Sequence, residues 1–442
     1  MAVRLASQAT TLKVLRAPNT FSWVGTSRLA AMFQDGGKRN KGNAGWMNWS
    51  AAKLRAVGKP MITVGHFAVS GYRTDQFNFA SAIAAGASNL VGDGPINSIS
   101  QAAAGYTTVG GAMPGTAVTA ANVVAVSLAD IKAGIKAAND AGVRFFYVWE
   151  RGAVSFTNAQ IGQLNDFNRR MADYLAKGDD YRGVPNVVVL DPTPYSVITS
   201  NASAIALTNS VDGTHDNVKA AKITGFAFAD KIAPYLNEMP GYRLRNLTQA
   251  KSGLGSLSLN PNPALSGSAA PGGTGNTGFI PSNFTAAQSG GVTGVFTIQA
   301  TSADADGNTW GNEVKIDATA TASGTVSLIL ALDRTNITLG DLIKGGFEID
   351  VTAGATGVSG VQADIEWFPT TGGTSPMYDM SASTIGTDDG GYTNLVLSPD
   401  PLAITAYTGS PFTNLALRIA FSAAGSATVI VRKFWAERTP AV

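Results

Sequence analysis

The chain has 442 residues, 45% hydrophobic and 14% charged, a folded composition too long for one ordinary core, so two domains are expected. A formal net charge of +2 gives no broad electrostatic case for a nucleic-acid or membrane partner, and no stretch reaches the roughly 18 uninterrupted apolar residues a spanning helix needs. With no cysteine and only two histidines, His66 and His215, disulfides, thiol catalysis and a Cys- or His-rich metal site are excluded, and neither a metal nor a cofactor is expected.

Met1 to Pro18 alternates small, polar and basic residues and reads as an N-terminal arm, without the apolar block of a secretory signal. Residues 19–245 read as one domain. Thr20–Val24 predicts a short strand ending at Gly25, Met61–Val64 a second closed by Gly65, and Ser88–Val91 a short third. Leu128, Ile131, Ile135 and Ala138 recur at helical spacing and lead into a strand from Val143 to Trp149. A long helix is predicted from about Asn158 to Ala176, with Ile161, Leu164, Phe167, Met171 and Leu175 on one face. Val187–Leu190 is an apolar run of the buried parallel-strand kind, and a further helix runs from about Val218 to Ala233. Strand, crossover helix and strand at this spacing predict an α/β fold, a parallel sheet with helices on both faces. Residues 246–282, dense in Gly, Pro, Ser and Asn, read as a linker. Beyond them, over residues 283–442, the helix signal nearly vanishes. Val295–Ala300, Val314–Ala320, Val326–Leu332, Gly346–Thr352, Val361–Trp367, Leu415–Phe421 and Ala427–Phe434 tend to alternate apolar and polar residues, which predicts an antiparallel, jelly-roll-like β-sandwich.

The strongest chemical signal is Val211-Asp212-Gly213-Thr214-His215-Asp216-Asn217, just before the last predicted helix. A serine esterase needs a base for the hydroxyl proton and a carboxylate to hold that base's tautomer. An Asp three residues before a His, with a Gly between, can place both side chains on one side of a tight turn. Several residues also have plainer readings. Ser27 could be the N-cap of a helix starting near Arg28; His66 reads as a packing residue; Glu150-Arg151 could line a cleft or form a structural ion pair; Asp191-Pro192 reads as a turn. Asp304-Ala305-Asp306-Gly307-Asn308 opens like a calcium loop, but Thr309 and Lys315 stand where such a loop needs Gly and a bidentate Glu, so it reads as a polar turn. The short basic run Lys38-Arg39-Asn40-Lys41 reads as a solvated loop.

Placed before the closing helix of a strand–helix series, the Asp212–His215 pattern resembles the last block of the SGNH (GDSL-like) serine hydrolases. The first block of that family is Gly-Asp-Ser after the first strand; here Gly25-Thr26-Ser27 stands there, with Thr26 replacing the usual Asp. Ser70-Gly71-Tyr72 matches the second block, and Gly94-Pro95-Ile96-Asn97-Ser98 the third, with one extra residue between Gly and Asn and Ser98 in place of Asp. The resemblance implies a triad of Ser27, Asp212 and His215, and an oxyanion hole of the Ser27 and Gly71 N–H groups and the Asn97 amide. It also implies an esterase that removes O-acetyl groups from cell-surface polysaccharide, as bacteriophage tail enzymes with such a fold do. The partners would then be an acetylated glycan and other tail proteins, and the location a virion tail or the extracellular space; whether the chain forms a homotrimer stays open. Trp310, Trp367, Tyr378, Tyr392, Tyr407 and Trp435 are the aromatics of the β-rich half that sugar rings could dock on, Trp310, Trp367, Tyr392 and Trp435 first among them. The alternative reading is a weak or inactive receptor-binding virion protein on a hydrolase fold, favoured by Thr26 and the third block and disfavoured by the Asp212–His215 pair. A third is a bacterial carbohydrate esterase with a binding module.

Overall fold

The computed structural model describes residues 16–30, 45–178, 183–196, 214–239, 257–301, 311–332, 337–368, 379–386, 390–404 and 412–439. In chain order its elements begin with β1 (Thr20–Val24), α1 (Ser27–Ala30), α2 (Trp46–Ala56), β2 (Ile62–His66), α3 (Phe79–Ala84), β3 (Asn89–Gly92), α4 (Ile96–Ala102), β4 (Tyr106–Thr107) and β5 (Ala117–Val118). Then come α5 (Val123–Asp140), β6 (Arg144–Val148), α6 (Asn158–Lys177), β7 (Val187–Leu190), α7 (Thr193–Ser196) and α8 (Val218–Ile232). The remainder is strands: β8 (Leu257–Ser258), β9 (Thr277–Gly278), β10 (Phe284–Ala300), β11 (Asn312–Ala331), β12 (Leu342–Val351), β13 (Val358–Phe368), β14 (Asp379–Ile385), β15 (Tyr392–Leu397), β16 (Leu402–Ala403), β17 (Phe412–Phe421) and β18 (Gly425–Thr439).

The chain divides into two compact units. The first holds the chain up to Thr26, Thr63–Glu150 and Asn158–Asp191. Its sheet has the order β2-β1-β3-β6-β7, and β1–β3, β3–β6 and β6–β7 pair in parallel. The central strands are covered on both faces, and β1 and β3 are buried at every position. At Gly92, the last residue of β3, a Cβ would sit 2.7 Å from the Phe145 ring on β6. Helix α5 buries Val123, Val126, Ile131, Ile135 and Ala138, and α6 buries Leu164, Phe167, Met171 and Tyr174, one apolar stripe each. The predicted bounds of β1, β7 and α8 match or nearly match those observed. Val187 to Val189 are only half-buried, since β7 is the edge of the sheet.

The second unit holds Ser27–Ile62, Arg151–Thr157 and Pro192–Val442. Its sheet is mostly antiparallel, with the main path β14-β13-β17-β11-β18-β12-β15. β11 pairs with β18 through Val314–Ala320 and with β17 through Gly324–Ala331, so two short runs of the sequence are one strand serving two neighbours. Three expectations are corrected here. First, within the expected linker, residues 257–282 belong to this unit: β8 pairs with β18, β9 with β10, and Leu259, Leu265 and Ile280 are core residues. Second, the expected domain of residues 19–245 is divided between the two units. The Ser50 hydroxyl of α2 donates to Gly225 O of α8 at 2.7 Å, the Trp49 ring meets Tyr392 edge-on at 5.2 Å, and buried Arg55 faces Asp400 at 3.3 Å. Periodicity marks a helix but not which core it joins. Third, Trp367 (1% exposed), Trp435 (3%) and Tyr392 (7%) are core residues, so none offers a ring face to a sugar. Trp310, Tyr378, Tyr407, the Lys38–Lys41 run and Asp304–Asn308 lie outside the described residues.

Breaking a buried ion pair by removing one partner costs about 3–5 kcal/mol. Asp400→Ala is therefore expected to lower Tm by several degrees in a thermal melt, and a melt unchanged from wild type would show that the Arg55 pair does not hold α2. A second carboxylate gives a pH signature. Asp364 accepts from Arg418 Nε at 2.6 Å, yet burial pushes its carboxyl up to about 6 against the pull of Arg418 and Gln362. Because that value lies above the ordinary 3.8, stability from this group is greatest below the ordinary value and is lost as pH rises through the folded one. In Asp364→Asn, the fall in Tm across that interval should flatten.

Candidate active site

Parallel pairing sets the site. The β1–β3 register places Val24 opposite Gly92, so the residues leaving both strands emerge side by side at their carboxyl ends. On one side the chain turns at Gly25, φ +155°, into buried Thr26; on the other it continues into buried Asp93. Thr26 donates to the Asp93 carboxylate from its backbone N–H (2.9 and 3.2 Å) and from its hydroxyl (2.6 Å). A carboxylate taken out of water needs such donors. A carboxylate from the neighbouring strand thus stands against Thr26, at the position where the sequence comparison expected an acid. Beside Asp93, the Gly94 N–H donates to buried Glu150 at 3.2 Å, and a Cβ on Gly94 would stand 2.8 Å from the Glu150 Cβ and 3.2 Å from the Tyr147 hydroxyl. Burial, reinforced by Glu150 and Asp93, holds the Tyr147 phenol well above its ordinary range.

Still within the first unit lie Gly71 and Asn97, two of the three residues expected to stabilise an oxyanion. Asn97, in the first turn of α4, donates its amide to Tyr72 O at 2.9 Å, and Gln101 one turn on donates to Gly71 O at 3.0 Å. The Thr74 N–H donates to the buried Ser98 hydroxyl at 3.1 Å. Gly71 has φ +82°, a conformation that favours glycine. The loop of residues 71–74 is therefore laced to α4, which joins the second and third sequence blocks.

In the second unit, Ser27 opens α1 and His215 lies just before α8. The Asn217 side chain accepts from Ala220 N at 3.0 Å and so caps that helix. The Ser27 hydroxyl stands 2.9 Å from His215 Nε2, within hydrogen-bond distance. Both side chains are half-buried. Asp212 lies outside the described residues. Arg151 is one half of an ion pair, its guanidinium donating to Asp216 at 2.6 Å with both side chains under a tenth exposed. The sequence reading did not single out Asp93, Arg28 or Asp216. A usable signal existed for Asp93, an acid between glycines directly after a parallel strand.

No protein-family profile matches the chain, and no curated protein sequence does. Among solved structures, a GDSL-like lipase from Bacteroides thetaiotaomicron is similar at 14% identity and TM-score 0.34, over 49% of this chain and 88% of that one. A variant of an acetyl-xylooligosaccharide esterase from Geobacillus is similar at 11% identity and TM-score 0.36, over 50% and 96%. Bacteriophage CBA120 tailspike protein 4 is similar at 10% identity and TM-score 0.24, over 36% and 20%.

If Asp93 supplies the carboxylate of the nucleophile turn, a second one at Thr26 would meet a like charge in a buried site. Thr26→Asp should destabilise the protein by about 3 kcal/mol or more at neutral pH, and Asp93→Asn in the same chain should restore most of the loss. Denaturant unfolding of the two variants and wild type measures this, and failure of the double variant to recover would refute the exchange.

Proposed function

We propose that the chain is a serine ester hydrolase with Ser27 as nucleophile and His215 as general base. The observation that carries this reading is the 2.9 Å contact between the Ser27 hydroxyl and His215 Nε2, within the range that lets an imidazole take the proton as the oxygen attacks. Ser27 Oγ adds to the ester carbonyl carbon while its proton passes to Nε2. Collapse of the tetrahedral adduct breaks the carbon–alkoxy bond, and His215 returns the proton to the departing alcohol. Water then repeats the sequence on the acyl-enzyme, releasing the acid and restoring Ser27. By the family resemblance, Asp212 orients the imidazole, and the N–H groups of Ser27 and Gly71 with the Asn97 amide receive the oxyanion. Asn97 has one amide N–H on Tyr72 O and a second to offer.

The substrate class follows the same resemblance: O-acetyl groups on a cell-surface polysaccharide, removed by a protein carried on a phage tail. The alternative of an inactive virion protein leans on Thr26 and on the third block, and the Asp93 carboxylate bonded to Thr26 weakens the first of these grounds.

Hydrolysis of p-nitrophenyl acetate tests the chemistry. Ser27→Ala and His215→Ala are each expected to lower kcat at least about a thousandfold, and Asn97→Ala about 10²–10³-fold. An active Ser27→Ala protein, or a folded wild type silent on this ester and on acetylated glycans, would overturn the reading.

A further inference from the structure

We infer that Arg28 is a positioning residue that holds the His215 loop against Ser27, working with the buried Arg151–Asp216 pair; the inference rests on the proposed roles of Ser27 and His215. Arg28 follows the nucleophile directly. Its guanidinium donates through Nε to Thr214 O at 3.1 Å, through Nη2 to Gly152 O at 3.2 Å, and through Nη1 to Arg151 O. Thr214 immediately precedes the base. Asp216 immediately follows it and is held by Arg151 at 2.6 Å. His215 is thus gripped on both sides, and the two grips share residue 151, whose carbonyl faces Arg28 and whose guanidinium faces Asp216. The circuit runs from Arg28 to residue 151, to Asp216, through His215 to Thr214, and back to Arg28.

Only arginine suits the place. Its planar fork presents five N–H donors, so one side chain can satisfy three carbonyls from two separate segments. Lysine offers a single ammonium and cannot fix the relative position of two loops. The nucleophile and base lie 188 residues apart in sequence, so the 2.9 Å contact depends on tertiary bonds of this kind. Misplacement by about 1 Å is enough to cost about a hundredfold in rate.

Two measurements test the assignment. In p-nitrophenyl acetate hydrolysis, Arg28→Met and Asp216→Asn should lower kcat about a hundredfold with KM within about twofold, since no substrate contact is lost. Arg28→Lys should recover little of this. On a His215→Ala background, Arg28→Met should cost almost nothing further, because residues acting as a unit are not additive. The second readout needs no substrate. The two histidines make the His215 ring ¹⁵N–¹H signals assignable against His66→Gln, and in Arg28→Met they should move toward those of Ser27→Ala. Ring signals identical to wild type, or an undiminished kcat penalty on the His215→Ala background, would overturn the positioning role. A wild type without esterase activity whose ring signals still respond to both changes would leave the bracket standing and sink the hydrolase reading alone.

Discussion

A carboxylate buried beside a strand end must be given donors, and the donors that Asp93 receives belong to the residue just before Ser27. That exchange rests on the parallel register of β1 and β3, which delivers both chain ends to one edge of the sheet. The Thr26 N–H and hydroxyl fix the turn from which Ser27 departs. Thr26 is a neutral donor, and the carboxylate that receives its bonds stands across from it on the neighbouring strand.

Buried charge recurs throughout the second unit. Arg55 faces Asp400, Arg151 faces Asp216, and Arg418 faces Asp364 and Glu366. Such pairs add little net stability compared with apolar packing, because each ion gives up its hydration. They do restrict geometry, since a guanidinium satisfied at fixed angles leaves few alternative placements of the segments it joins. At the Ser27–His215 contact, on the roles proposed for these residues, that restriction serves geometry more than stability.

Much of this was legible in the sequence where the signal is local. β1 and β7 have the predicted bounds because short apolar runs between turn residues leave few other conformations. Ser27 and His215 could be placed because each sits at a junction of elements, one after a strand and one before a helix. Contacts set by distant partners were not legible. Asp93 acquires its role only through the β1–β3 register, and Leu257–Ser258 becomes a strand only because Arg438 and Glu437 pair with it. Helix α2 shows no amphipathic stripe, since it is buried at Trp46 to Ala52 and again at Leu54 and Arg55. The aromatics of the β-rich half alternate as sugar-binding residues could, but alternation does not say which face is the core.

The β-rich sheet also carries part of the packing of α8. Val218, in the first turn of α8, packs so closely on Gly386 that a Cβ there would sit 2.7 Å from its methyl carbons. Lys222, one turn on, donates to Gly391 O at 2.7 Å. Ala221 of the same helix shares a core cluster with residues of β10 to β13 and β15 to β18. The helix that begins three residues after His215 is therefore seated on the β-rich sheet of its own unit. A tethered binding module could be removed without moving a catalytic base. Here the sheet forms part of the seat of the segment that carries His215, so on the proposed roles of Ser27 and His215 its core is tied to the geometry of their contact.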